Sequence, residues 1–376
     1  MNALRLTFPW LLVTLLAGCA APHAATTNRM ERIIVAQDAR GFITAESRLP
    51  FHPWGFNYGN DGQLMEDFWI NDWQTFADDF GKMKALGANV VRVHLQYGKF
   101  MSGPDEPNCQ EFKQLSRMLR LAERTGLHLD ITGLACYRPS HTPKWYDAMN
   151  ERQRWAAQSN FWSAVAATCA RSPAVLCYDL MNEPIVPGSA RARGTWRSGH
   201  LFGGYDFVQF ITLDPAGRKR EGIAVDWIRT MTAAIRAHDT NALITVGLLP
   251  WTPDWGFLSG FVPEKIAPDL DFIAAHIYPD SKHPGEAMEC LRKCAVGKPV
   301  LIEETFPLSC SAAEEETFLR SSKKIACGWL GHYDGESLQD FDALARAGNL
   351  TPEQSIYREW ERLFVKLKPE FAPGNL

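Results

Sequence analysis

Two acids in this 376-residue chain stand where an apolar run has to stop. The run Tyr178-Asp179-Leu180-Met181-Asn182-Glu183-Pro184 closes on a carboxylate, and the proline after it cannot continue a strand's hydrogen-bond ladder. A second run, Pro299-Val300-Leu301-Ile302-Glu303-Glu304-Thr305-Phe306, closes on adjacent glutamates. At a period of two, Val300, Ile302 and Glu304 share one face while Leu301, Glu303 and Thr305 share the other, so alternation separates the two acids without saying which face is inward. A carboxylate beside a buried strand is costly unless paired or used. Two of them facing each other can break an acetal: one protonates the departing oxygen while the other attacks or stabilises the anomeric carbon, and a short separation gives retention of configuration.

Such a pair needs a scaffold that brings distant strand ends together. Eight short runs rich in β-branched and aromatic residues recur along the chain: Trp54 to Tyr58, Asn89 to His94, Leu127 to Leu134, Val175 to Met181, Leu243 to Leu248, Phe272 to Tyr278, Val300 to Thr305 and Ile325 to Trp329. Helical periodicity lies between them, as in Phe112, Leu115, Leu119 and Ala122, or Ala224, Trp227, Ile228, Met231 and Ile235. Strands apolar on both faces, alternating eight times with helices, predict an α/β fold, a (β/α)₈ TIM barrel. An open doubly wound sheet is the alternative, but no glycine-rich phosphate fingerprint follows the first strand. Ahead of the barrel, Ile33 to Ala36 and Phe42 to Ala45 flank a turn and predict a small β-hairpin. In a barrel of this kind strands four and seven lie opposite each other, and chemistry sits at the strands' C-terminal ends, so Glu183 and Glu304 can face across the mouth.

With these motifs in order, the chain resembles glycoside hydrolase family five and its clan of retaining barrel enzymes. The resemblance spans residues 33 to 330 and rests on Asn182-Glu183-Pro184 on the fourth strand, an acid closing the seventh, His276-x-Tyr278 on the sixth, Arg92 on the second and Trp329 ending the eighth. It implies that Glu183 is the general acid and base and Glu304, rather than Glu303, the nucleophile. It implies further that Asn182 binds the sugar 2-hydroxyl, that Tyr278 and Arg92 keep the nucleophile ionised, that His276 lies near the acid/base, and that Trp329 is the floor on which the sugar stacks. His94, on the face of Arg92, and Asn57, closing the first strand, are further candidates for substrate contact. The implied activity is a retaining β-glycosidase acting on β-linked saccharides of glucan or mannan type, with no cofactor and no metal. The rival of another class is a carbohydrate-binding protein that keeps the barrel without turnover.

The sequence also departs from that pattern. The third strand lacks the histidine that family members place at its end, and Phe306 stands where a glycine often follows the nucleophile strand. The connection from Ile185 to Glu221 is long and aperiodic, carrying Trp196, Tyr205, Phe207 and Phe210 among arginines, and reads as a wall over the site. Trp145, Tyr146, Trp251 and Trp255 could extend the same aromatic rim. A walled cleft favours short saccharides.

Composition agrees with a sugar-handling globular protein: 46% hydrophobic residues exclude a disordered chain, and 39 basic against 43 acidic residues give no electrostatic reason for a nucleic-acid partner. At the N-terminus, Arg5 and the apolar run from Leu11 to Leu16 are too short to span a bilayer and read as an export signal. Leu16-Ala17-Gly18-Cys19 resembles the bacterial lipobox, which implies a signal over residues 1–18, lipidation of Cys19, a tether over 19–30, a single domain over 31–376, and a place on the cell envelope held by the lipid. The eight other cysteines form an even number in a compartment that permits disulfides, with no pairing legible from sequence and no zinc-type spacing.

Overall fold

The computed structural model describes residues 30–199 and 203–374. The expected signal and Cys19 lie outside the described residues. Eight parallel strands close into a barrel in sequence order: β1 (Trp54–Gly59), β2 (Val90–Gln96), β3 (His128–Ala135), β4 (Val175–Asn182), β5 (Leu243–Leu248), β6 (Ile273–His276), β7 (Val300–Glu304) and β8 (Gly328–Asp334). Each is followed by a helix on the outside: α1 (Trp73–Leu86), α2 (Cys109–Thr125), α3 (Glu151–Cys169), α4 (Arg220–Arg236), α5 (Pro263–Ile266), α6 (Glu286–Cys294), α7 (Ala312–Ser322) and α8 (Pro352–Phe371). The expected hairpin is present as Ile33–Val35 paired with Phe42–Thr44, and it gains a third strand, Pro50–Phe51.

The apolar residues sort by period. Outward-facing Val91, Val93, Ile131, Ile244 and Ile302 join the helices in the main core. Inward-facing Val90, Cys177, Leu243, Ala274, Leu301 and Leu330 form a separate plug low in the barrel, and the N-terminal sheet caps it, with Phe42 edge-on to Phe272 at 5.2 Å. The interior above that plug is polar, and this polarity carries the chemistry.

The eighth strand begins and ends later than the sequence predicts. Gly328 and Gly331 are each a place where a neighbour fills the space a side chain would take: a Cβ on Gly331 would lie 1.9 Å from the Trp360 ring of α8. The strand therefore runs on to Asp334, and Trp329 stands at its beginning rather than at the mouth. The eight described cysteines are unpaired, with Cys290 and Cys294 neighbouring on α6.

Candidate active site

Local irregularities at two strand ends aim the acids. Register between β4 and β5 slips just before Gly247, which pairs with Asn182. Glu183 then takes a left-handed backbone (φ 47°), its N–H donating to the Gly247 carbonyl at 3.0 Å. Such a conformation costs a non-glycine residue about 1–3 kcal/mol, and the surrounding pairing holds it. Register also shifts between β6 and β7, so that Ala275 pairs with Ile302 but His276 with Glu304. The extra residue breaks strict alternation. Glu303 points into the barrel, fully buried, while Glu304 still reaches the mouth.

The two mouth carboxylates converge on one imidazole. His276 Nδ1 lies 2.9 Å from Glu183 and 3.4 Å from Glu304, and its Nε2 lies 3.1 Å from Glu303. One oxygen each of Glu183 and Glu304 falls within 4.8 Å of the other, the close spacing of a pair in which the second acid attacks directly. Burial opposes a charged imidazole, but Glu304, Glu183 and Glu303 outweigh it and raise His276 to about 10. Both ring nitrogens accordingly act as donors. A metal ligand must offer a lone pair instead, so although these three groups have metal-like spacing, a protonated His276 and the Arg92 guanidinium beside Glu304 disfavour a dication.

Glu304 is gripped from two sides. Arg92 donates through one guanidinium nitrogen to Glu304 at 2.5 Å and to Asn57 at 2.8 Å, and through the other to Asp179 at 2.7 Å and Asn182 at 3.0 Å. Tyr278 donates its hydroxyl to the second Glu304 oxygen at 2.6 Å. Burial pushes Glu304 up; His276, Arg92 and the Tyr278 hydroxyl override it and hold the carboxyl well below the usual range. Since Tyr278 spends its proton on Glu304, the 2.9 Å contact with His332 is a donation from His332 Nε2. His332 is kept neutral chiefly by burial, and its ring stacks parallel to that of Tyr278.

A fixed nucleophile-like carboxylate opposite a second acid across a parallel barrel is the geometry on the page, and the comparisons assign its lineage. The model of the family Cellulase (glycosyl hydrolase family 5) matches residues 55–317. The chain belongs to glycosyl hydrolase family 5. An exo-β-1,4-mannosidase from Opitutaceae bacterium strain TAV5 superposes with a TM-score of 0.63 at 17% identity, over 90% of this chain and 62% of that one. A β-mannanase from the blue mussel Mytilus edulis superposes at 0.60 and 17% identity, over 91% and 98%. In sequence, a mannan endo-1,4-β-mannosidase of Arabidopsis thaliana is 33% identical over 75 residues, and that match spans 16% of this chain and 18% of the relative's length.

Within this family 5 barrel, several expected positions hold the machinery rather than face the cleft. Asn57 sits mid-strand because β1 runs on to Gly59; it donates to the carbonyls of Glu303 and Gly331 and accepts from Arg92, so it positions the arginine instead of closing the strand as a substrate contact. Asn182 accepts from Arg92 and donates to the Phe207 carbonyl. His94, made neutral by burial first and Arg92 second, meets the Tyr137 hydroxyl at 2.5 Å. Trp329 is the clearest correction: it is 3% exposed, donates to Ser322 and packs against Trp54 and Phe371, far down β8 from the mouth. His332 occupies the place at the end of β8 where the tryptophan was expected.

The long connection after β4 reaches across the mouth. Asp206 N–H donates to the Tyr137 carbonyl at 2.8 Å and Phe207 packs edge-on against Tyr137 at 4.9 Å. Tyr205 donates to the Gly62 carbonyl in the loop after β1, and Arg138 bridges Tyr205 and Asp67 at 2.5 Å each. Loops following β1, β3 and β4 are thus tied together. Other members of the expected rim are structural: Trp196 is buried and donates to the Asp147 carbonyl, and Tyr146 stacks on Tyr97 at 3.9 Å. Trp255 is exposed. Phe306 packs against His332 at 5.5 Å and against Trp360, supporting the end of β8.

Proposed function

We propose that this chain is a retaining β-glycosidase that cleaves β-linked saccharides of mannan or glucan type by double displacement. The observation carrying the reading is the closeness of Glu183 and Glu304, with Glu304 held ionised by Arg92 and Tyr278. Glu304 attacks the anomeric carbon as the bond to the leaving oxygen breaks, and Glu183 delivers its proton to that oxygen. Glu183, now a carboxylate, takes a proton from water; the hydroxide adds to the anomeric carbon and releases Glu304. Each carboxylate ends as it began, and the sugar keeps its configuration.

The mannosidase and mannanases among the relatives favour mannose-configured substrates, and the tied loops over β1 to β4 favour short chains over long polymers. Hydrolysis is to be followed over aryl β-mannosides, aryl β-glucosides and oligosaccharides of rising length, with the native protein beside Glu304→Gln. Turnover by the native protein alone, with a β-anomer formed first, is expected. An α-anomer as first product overturns the double displacement, and rates that rise steadily with chain length overturn the short-chain preference. The domain of residues 31–376 is also proposed to sit on the envelope through a lipid at Cys19, with residues 1–18 removed and 19–30 as tether. Mass spectrometry of the mature N-terminus tests this, since an unmodified Cys19 refutes the anchor.

A further inference from the structure

Beneath the two mouth carboxylates lies a layer of charge of which the proposed reaction uses only Arg92. Arg92, Asp130, Asp179 and Glu303 are each 0% exposed, walled in by strands on every side. At this level Arg92 and His276 carry positive charge against the four carboxyl groups of Asp130, Asp179, Glu303 and Glu304. Of that surplus of two, Glu304 at the mouth still meets solvent at 9% exposure, and the one left wholly inside the barrel is too costly to keep. The hydrogen bonds show where the surplus is removed.

Asp179 is fully served: it accepts from Arg92 at 2.7 Å, from Thr132 at 2.8 Å and from the Gly247 N–H at 2.8 Å. Glu304 has Arg92 and Tyr278. Glu303 takes His276 Nε2 at 3.1 Å and Arg92 at 3.4 Å on one oxygen, while its Oε1 has no donor. Neither oxygen of Asp130 has a nitrogen or oxygen donor, the weak Cys177 thiol being the one donor beside it, although Asp130 pairs in register with Arg92 across β2 and β3. The Asp130 and Glu303 side chains meet at hydrogen-bonding distance. Two carboxyl groups in contact, one with a single unserved oxygen and the other with two, become a hydrogen bond when one proton is placed between them.

We propose that Asp130 carries a proton and donates it to Glu303, and that this shared proton positions His276 and Arg92 beneath the reacting acids. Asp130 is then a positioning residue that substrate never meets. The groups facing it are consistent with that state: Arg92 from β2, Cys177 and Asp179 from β4, and Glu303 from β7. Burial, followed by the Glu303 charge, pushes Asp130 well above the usual carboxylate range. Cys177 is likewise pushed up by burial and then by Asp130, and stays a thiol. Glu303 moves the other way: despite burial, Arg92 and His276 draw it down. The groups facing His276 are Glu183, Glu303, Glu304 and Arg92, with His94 and His332 neutral.

The proposal rests on the glycosidase reading for its kinetic test and on nothing but the carboxyl pair for its spectroscopic one. In Asp130→Asn the amide N–H donates to Glu303 as the acid proton does, so kcat and KM should stay within about a factor of three of native. Glu303→Gln removes the charge that His276 and Arg92 rest on; kcat should fall on the order of 10- to 100-fold with KM little moved. Its alkaline limb should shift to lower pH, because His276 loses part of what keeps it protonated. If Asp130→Asn is as damaging as Glu303→Gln, Asp130 is an ionised partner of Arg92 and the proposal falls. Infrared spectra of native protein labelled with ¹³C-aspartate, taken at pH 8 where Asp334 (raised to about 6 mainly by burial) is ionised, should retain a protonated-carboxyl band that Asp130→Asn lacks. No band in the native protein overturns the shared proton whether or not the protein hydrolyses anything. A band in a protein that cleaves no glycoside upholds the proton and overturns the glycosidase reading instead.

Discussion

At Glu304 a single hydroxyl does measurable electrostatic work. The Tyr278 proton sits 2.6 Å from the carboxylate, and a hydrogen bond to a charged group contributes about 1.5–3 kcal/mol. Tyr278→Phe should therefore raise the Glu304 pKa by about one to two units and move the acid limb of kcat/KM to higher pH by that amount. An acid limb that stays in place means another group sets it. Glu183 is tested by leaving group: Glu183→Ala should slow substrates with poor leaving groups by roughly 10²- to 10⁴-fold and hardly affect activated aryl glycosides in the first chemical step. Equal losses on both kinds would remove the acid role from Glu183. Proline and strand logic locate both acids in the sequence. What alternation alone does not choose, Glu303 against Glu304, is decided by a bulge that no side-chain pattern announces.

At the scale of elements, the eight runs are legible because strands covered on both faces must be apolar, and seven of the eight fall close to their predicted places. β8 lies later than its run predicts because its glycines make room for neighbours inside the strand, so Trp329, to which the resemblance gave the stacking role, stands at the strand's beginning. The charged residues inside strands had a readable signal: Asp130 and Asp179 each interrupt an apolar run at an inward position, where an isolated charge is costly. His332 gave less, lying beyond the expected end of its strand. Gly331→Ala tests the packing account directly. The added methyl meets Trp360, and overpacking of this kind costs about 1–3 kcal/mol, to be read as a lower urea midpoint at unchanged slope. A midpoint equal to the native one would mean that the Trp360 ring does not require the glycine.

For the molecule as a whole, buried acids away from the site set part of the response to pH. Glu66, buried with one oxygen accepting from the Gln96 N–H and the other unserved, is pushed up to about 8 by burial. Its neutral form suits the folded state, so its contribution is fully present below the ordinary glutamate range and is lost as pH rises towards 8. Glu66→Gln cannot ionise, and its melting temperature should gain on the native protein's progressively between about pH 5 and 8. A constant difference over that range would mean Glu66 is already ionised in the fold. The tied loops above β1, β3 and β4 work at this scale too, since they link chain segments far apart in sequence into one rim. Only the length and aromatic content of that connection were visible beforehand; which carbonyl Tyr205 finds depends on where the barrel puts the loop after β1.

His276 has one nitrogen turned up to the mouth and one turned down to Glu303. The pH range over which such a site works is thereby adjustable from below, at residues no sugar touches. Exchanging Glu303, whose charge supports His276 from beneath, is therefore expected to move that range while every group at the mouth stays in place.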